Sequence, residues 1–187
     1  MRITCWVLNI WEHKLDQENL TLVMGGAASG KSAFAENLVE AVGKQKVYLA
    51  TAQALDAEMV DKIRLHLERR GDDWTTVEAP QEAAEHLGAL AANQICLFDC
   101  ATMWLSNKLL MDADLSAEMD WLLTAIRACP AHLVVVTNEV GHGIVPDNAL
   151  SRRFREAQGQ LNIALAAQAE TVVQVVAGLP RYLKGKP

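Results

Sequence analysis

Apolar residues in this chain fall into short unbroken runs rather than strict alternation. The runs cover 20–24, 46–52, 94–99, 132–139 and 171–178. Runs of this length, rich in Val, Leu and Ile, predict strands buried on both faces of a sheet. Between them lie stretches of helical period, over 33–42, 57–70, 81–92, 101–110, 115–128 and 149–170. The helix at 57–70 has Asp56 as its N-cap and Gly71 as its stop. Residues 74–78 read as a short extended piece ending at Ala79-Pro80, since proline disfavours helix in the residue before it. Gly141, Gly143 and Pro146 predict a loop, and the chain ends in a basic tail through Lys184 and Lys186. Strands alternating with helices predict an α/β fold with a mostly parallel sheet covered by helices on both faces.

The first strand runs into Gly25-Gly26-Ala27-Ala28-Ser29-Gly30-Lys31-Ser32. This fits G-x-x-x-x-G-K-[ST] in the strand-to-helix context that the pattern needs. Glycines let successive backbone N–H groups converge, and the following helix adds the positive end of its dipole, which together make an anion nest. Lys31 is expected to reach the β- and γ-phosphates of a nucleotide, and Ser32 to ligate Mg2+. The fold class is therefore α/β of P-loop NTPase type (RecA-like), a single domain over 20–187 after an N-terminal extension, 1–19, of unknown role.

Composition narrows the classes. The chain has 187 residues, 51% hydrophobic and 21% charged, enough for one core and ordinary for a globular protein. A net charge of −6 argues against a nucleic-acid surface. No run has the length of a membrane span, and residues 1–19 lack the cleavage site of a signal peptide. Cys5, Cys96, Cys100 and Cys129 show neither zinc nor redox spacing, so reduced, mostly buried thiols and a cytoplasmic location are expected.

A P-loop alone does not choose between kinase, switch and transferase. A GTPase switch is disfavoured, because Asn107-Lys108-Leu109-Leu110 lacks the aspartate that would hold guanine. Asp99 ends an apolar strand, where it reads equally as the acid on the Mg2+ side of a P-loop or as a cap for the next helix. On the 57–70 segment Met59, Ile63, His66 and Arg70 share one face, with Glu58 and Lys62 paired beside it. His66 in such a stripe is ordinarily a packing residue. Arg69 and Arg70 one turn on change the picture, since they could hold phosphate oxygens while a neutral imidazole attacks phosphorus. His13, His86, His132 and His142 have no such company.

These blocks carry a resemblance. The P-loop, Tyr48 to Gln53, Asp56 to Met59, Ile63 to His66 with Arg70 and Trp74, Val77 to Pro80, Thr137 to Gly141 and Gly143 to Pro146 resemble the bifunctional adenosylcobinamide kinase/adenosylcobinamide-phosphate guanylyltransferase family of cobalamin biosynthesis. The resemblance implies phosphorylation of adenosylcobinamide by ATP or GTP at the P-loop, then transfer of GMP from GTP through a covalent guanylyl-histidine. It gives His66 the role of that histidine. The resemblance leaves Lys31 as the other expected catalytic residue. It places nucleotide contacts on Gly25, Gly26, Ala27, Ala28, Ser29, Gly30, Lys31 and Ser32, on Ala50, Thr51 and Ala52, on Leu67, Glu68, Arg69 and Arg70, and on Glu78 and Asp99. Glu78 suits a guanine or ribose contact and Asp99 a metal-side role with Ser32. Ring-like homo-oligomers are implied as well.

The chain also departs from the family pattern. Many members carry arginine where Ala28 and Lys62 stand, which removes one cation near the nucleotide and alters the geometry of another. Three rivals remain: a member that has kept only one of the two activities, another P-loop kinase of small molecules, and a non-catalytic nucleotide-binding regulatory module. The last has no need of His66, Arg69 and Arg70.

Overall fold

The computed structural model describes residues 19–53 and 70–186. The expected helix over 57–70, with His66, Leu67, Glu68 and Arg69, and the N-terminal extension therefore lie outside the described residues, apart from Asn19 and Arg70.

In chain order the elements are β1 (Leu20–Gly25), α1 (Lys31–Glu40), β2 (Gln45–Ala50), β3 (Trp74–Glu78), α2 (Ala83–Gly88), β4 (Gln94–Asp99), α3 (Ala101–Leu110), α4 (Leu115–Ala128), β5 (His132–Asn138), α5 (Ala149–Gln168), β6 (Thr171–Val176) and β7 (Leu179–Lys184). Seven strands form one sheet in the order β3-β2-β4-β5-β1-β6-β7. All neighbours pair in parallel except β6 and β7, which are antiparallel.

The unbroken apolar runs have the predicted cause. In β4, Cys96 and Phe98 enter one core cluster while Ile95 and Leu97 enter the other; in β5, Leu133 and Val135 part in the same way from Val134 and Val136. The smaller cluster lies under α1, through Ala35 and Val39. The larger one takes Trp104 and Leu105 of α3, Leu122 and Ile126 of α4, and Leu161 and Leu165 of α5. Helix starts follow local chemistry: Asp114 accepts from the N–H groups of Ser116 and Ala117, and Asn148 from that of Ser151.

Two elements differ from the sequence reading. The helix expected over 81–92 holds only for Ala83–Gly88. The basic tail is not a tail but β7, folded back through a tight turn in which Ala177 and Gly178 have φ of 52° and 78°. Two consecutive positive φ values are what a two-residue hairpin needs, and only Gly178 signals it.

Cys96, Cys100 and Cys129 are buried free thiols, and burial pushes Cys100 up to about 12. His132 opens β5 half-buried; burial, then Lys44, holds its imidazole below the ordinary value, against an opposing pull from Glu170. Folding therefore favours the neutral ring. As pH falls below about 6.5 the unfolded chain takes up a proton that the folded chain resists, so stability drops across that window. Urea midpoints measured between about pH 7 and pH 5 are expected to fall less steeply in His132→Gln than in the wild type; equal slopes would remove His132 from the acid limb.

Candidate active site

The ends of β1 to β5 converge on one edge of the sheet, where side chains between parallel strands and their crossover helices meet a ligand. At β1 the chain turns through the P-loop and enters α1 at Lys31. Its geometry is tight. A Cβ on Gly25 would lie 2.6 Å from both Ser29 Oγ and the carbonyl oxygen of Val175, and Gly30, at φ 91°, has Gly178 against it. The Gly178 N–H donates to the Ser29 carbonyl at 2.8 Å, so the β6-β7 turn props the loop from behind. Ala28 also takes a left-handed conformation, φ 54°, as alternating nest backbones require. The Ser29 hydroxyl is buried with no hydrogen-bond partner among the described residues, and Lys31 Nζ folds back to donate to the Gly26 carbonyl at 3.1 Å.

Asp99 ends β4. Cys100, rather than Asp99, is the N-cap of α3, its sulfur accepting from the Met103 N–H at 3.4 Å, so the helix-cap reading of Asp99 gives way. The Asp99 carboxylate accepts from Tyr48 Oη at 3.2 Å and bears electrostatically on Lys31. Burial lowers the Lys31 ammonium below its ordinary range, and Cys100 and Asp99 pull the other way. The Tyr48 phenol is raised by burial and by Asp99, and the Arg70 guanidinium carbon lies 3.3 Å from its ring centroid. Arg70, Tyr48 and Asp99 thus form one line of contacts, and the Asp99 charge acts from its end on Lys31 of the P-loop.

Thr51, fully buried after β2, is used differently. Its hydroxyl donates to the Cys100 carbonyl and accepts from the Cys100 N–H, both at 2.8 Å. Its own N–H donates to the Asp99 carbonyl at 3.2 Å, and its carbonyl accepts from Asn107 Nδ2 at 2.9 Å. Every polar group of Thr51 is engaged inside the protein, where it fixes the backbone that carries Asp99. Asn107 and Lys108 lie within α3, the latter paired with Glu118 at 2.9 Å, which accounts for that dipeptide without guanine.

Ala50 and Ala52 flank Thr51, and Glu78 ends β3 opposite Ala50. Glu78 is four strands from β1, about 19 Å across the sheet. The structure therefore brings Gly25 to Ser32 and Asp99 together, with Ala50, Thr51 and Arg70 beside them, and sets Glu78 at the far edge.

Sequence reasoning counted Thr137 to Gly141 among the blocks of the resemblance but gave the end of β5 no role in the site. This strand lies between β1 and β4, so Asn138 and Glu139 stand between the P-loop and Asp99. The Glu139 N–H donates to the Gly25 carbonyl at 3.1 Å, and both its carboxylate oxygens accept from Gln174, at 3.0 and 3.1 Å. The Asn138 N–H donates to Thr102 Oγ1 at 2.8 Å and its carbonyl accepts from Asn162 Nδ2 at 3.0 Å. The available signal was the apolar run 132–139 ending in Asn and Glu, the same signature that singled out Asp99.

Similarity to known proteins agrees with this geometry. The chain is 44% identical to the bifunctional adenosylcobalamin biosynthesis protein CobP of Pseudomonas aeruginosa over 169 residues, 89% of this chain and 98% of that protein. It is 40% identical to CobU of Escherichia coli, over 88% and 99% of the two chains, and 39% identical to CobU of Salmonella typhimurium, over the same shares. Among solved structures, the flagellar accessory protein FlaH of Methanocaldococcus jannaschii superposes with a TM-score of 0.50 at 12% identity, over 90% of this chain and 79% of that one. A Pyrococcus horikoshii protein does so at 0.53 and 11%, over 90% and 87%. Those two likenesses concern the fold alone. Residues 21–183 match the description "cobinamide kinase / cobinamide phosphate guanyltransferase", and the chain belongs to that family.

Proposed function

We propose that this chain phosphorylates the hydroxyl of adenosylcobinamide from ATP or GTP and then transfers GMP from GTP to the product, giving adenosyl-GDP-cobinamide. The observation that carries the reading is the P-loop cradle with Asp99 set beside Lys31, in a chain of this family. In the first step the nest at Gly25 to Ser32 holds the phosphates and Lys31 neutralises charge that develops on the transferring group. In the second, His66 attacks the α-phosphorus of GTP, pyrophosphate leaves, and the phosphoramidate passes GMP to the acceptor phosphate, so one difficult transfer between anions becomes two displacements. Leu67, Glu68, Arg69 and Arg70 would hold phosphate oxygens. Ala50, Thr51 and Ala52 would shape the nucleotide wall, and Glu78 would read guanine or ribose.

Ser32 and Asp99 offer a hydroxyl and a carboxylate, an all-oxygen set that fits Mg2+ with phosphate oxygens completing the shell. Among the described residues no group of three or more His, Cys, Asp or Glu gathers that could hold a metal by itself. The ion would supply charge neutralisation between the β- and γ-phosphates. Among the described residues no helix is long and apolar enough to cross a membrane. From the family resemblance we take the enzyme to be a cytoplasmic homo-oligomer of single-domain chains.

The test is to give the protein adenosylcobinamide, ATP, GTP and Mg2+ and to separate the corrinoids by chromatography. Adenosylcobinamide phosphate should appear first and adenosyl-GDP-cobinamide after it, with pyrophosphate. Nucleotide binding without either product would identify a regulatory module; the first product alone would identify a kinase.

A further inference from the structure

We propose that the cleft between the end of β5 and helix α5 is the subsite for the acceptor alcohol of the kinase step, with Glu139 receiving the hydroxyl proton. The assignment rests on the kinase reading above and adds to it the place and the base.

The cleft measures about 180 Å³ and is lined by Met24, Glu139, His142, Arg155, Gln158 and Asn162 among others. It opens into a wider trough of about 460 Å³ that shares Gly141, Arg155 and Gly159 with it and adds Val145 and Ile163. The walls are built. Arg155 Nη2 donates to the Gly141 carbonyl at 2.6 Å, and Arg152 Nη1 to those of Pro146 and Asp147 at 3.0 and 2.6 Å, which fastens the loop after β5 to α5. Gln158 is fully buried; its Nε2 donates to Thr137 Oγ1 at 3.0 Å and to Asn162 Oδ1 at 2.9 Å, while its Oε1 has no hydrogen-bond partner among the described residues. A buried acceptor left without a donor is destabilising, and a ligand N–H or O–H removes that cost.

Two groups here can thus take a further donor: the Gln158 carbonyl oxygen, and the Glu139 carboxylate, whose oxygens keep lone pairs beyond those that Gln174 and the nearby His142 engage. An alcohol carried next to an amide N–H satisfies both. Glu139 is tied through its backbone to Gly25, the first P-loop glycine, so the cleft abuts the place where a nucleotide's phosphates lie. The trough beyond it carries exposed apolar side chains, Val145 at 65% and Ile163 at 59% exposure, on the side where the bulk of a macrocyclic acceptor would rest. In the step, the acceptor O–H gives its proton to the Glu139 carboxylate and the freed oxygen pair bonds to the γ-phosphorus. The bond from that phosphorus to the β,γ-bridging oxygen breaks, the nucleoside diphosphate leaves with the pair, and Glu139 later returns the proton to water.

Glu139→Gln keeps the shape and can still accept from Gln174. It is expected to lower kcat for cobinamide phosphorylation by about 100-fold or more, with GTP binding and labelling of the protein by α-phosphate-labelled GTP unchanged. Gln158→Leu is expected to raise KM for cobinamide about tenfold with kcat within about twofold, the loss of one hydrogen bond in binding. Should Glu139→Gln not fold, Glu139→Asp, which withdraws the base by one methylene, is expected to lower kcat at least about tenfold. Kinase kcat within threefold of wild type in the Glu139 variant, an unchanged KM in Gln158→Leu, or equal loss of labelling and phosphorylation would overturn the assignment. A wild-type protein that binds GTP and phosphorylates no cobinamide would overturn the kinase reading itself, and the subsite with it.

Discussion

Incubated with GTP labelled at the α-phosphate, the wild-type chain should acquire an acid-labile, alkali-stable label, and His66→Ala should acquire none. The reasoning is chemical. An imidazole is largely neutral at physiological pH and nucleophilic toward phosphorus, and the N–P bond it forms is lost when acid protonates the nitrogen and persists in base. Alanine offers no substitute, so GMP transfer should fall by at least about 10³-fold, to what binding and positioning supply alone. Arg70, four residues on, stacks against Tyr48, and Tyr48 donates to Asp99. Arg70 itself therefore lies against β2, the strand next to the one that ends in Asp99. Label persisting in His66→Ala at the wild-type level would remove the nucleophile assignment.

Lys31→Ala is the second large effect expected: phosphorylation of adenosylcobinamide should fall by about 10³-fold or more. Lys31 is a partly desolvated cation, and Asp99 and Cys100 help to keep it charged against the burial that lowers it. It reaches back across the loop to the Gly26 carbonyl, a bond a phosphate oxygen would displace. The same charge on a longer planar group does not fit that return path, so Lys31→Arg should rescue little. The measurement is initial rates with adenosylcobinamide and ATP, with folding checked by circular dichroism. Activity retained in Lys31→Ala would take the P-loop out of the kinase step.

What was legible in the sequence follows from where side chains go. Strands buried on both faces must be apolar throughout, so β1, β2, β4, β5 and β6 declare themselves, and the P-loop does so because only glycine permits the contacts at Gly25 and Gly30. The hairpin strand β7 lies at the sheet edge with most residues exposed, which leaves no apolar run to find. Thr51 looks like any strand-end residue, yet its four hydrogen bonds depend on β4 and α3 arriving beside it. Such partners come from distant parts of the chain, and local pattern is silent about them. Glu139 escaped for the same reason, since its meaning comes from Gly25 and Gln174 on neighbouring strands.

The insertion of β5 between β1 and β4 makes the sheet a gauge. Backbone hydrogen bonds hold neighbouring strands about 4.8 Å apart, so the first P-loop glycine and Asp99 are kept about 10 Å from one another by main chain alone. No exchange of core side chains can close or widen that gap without breaking a ladder. By the same measure Glu78 stays at a fixed remove on the far edge. Were a triphosphate seated in the nest and guanine read at Glu78, as proposed above, the two would be separate addresses on one rigid scale, and passing from phosphoryl to guanylyl transfer would change where the nucleotide sits rather than the shape of the sheet.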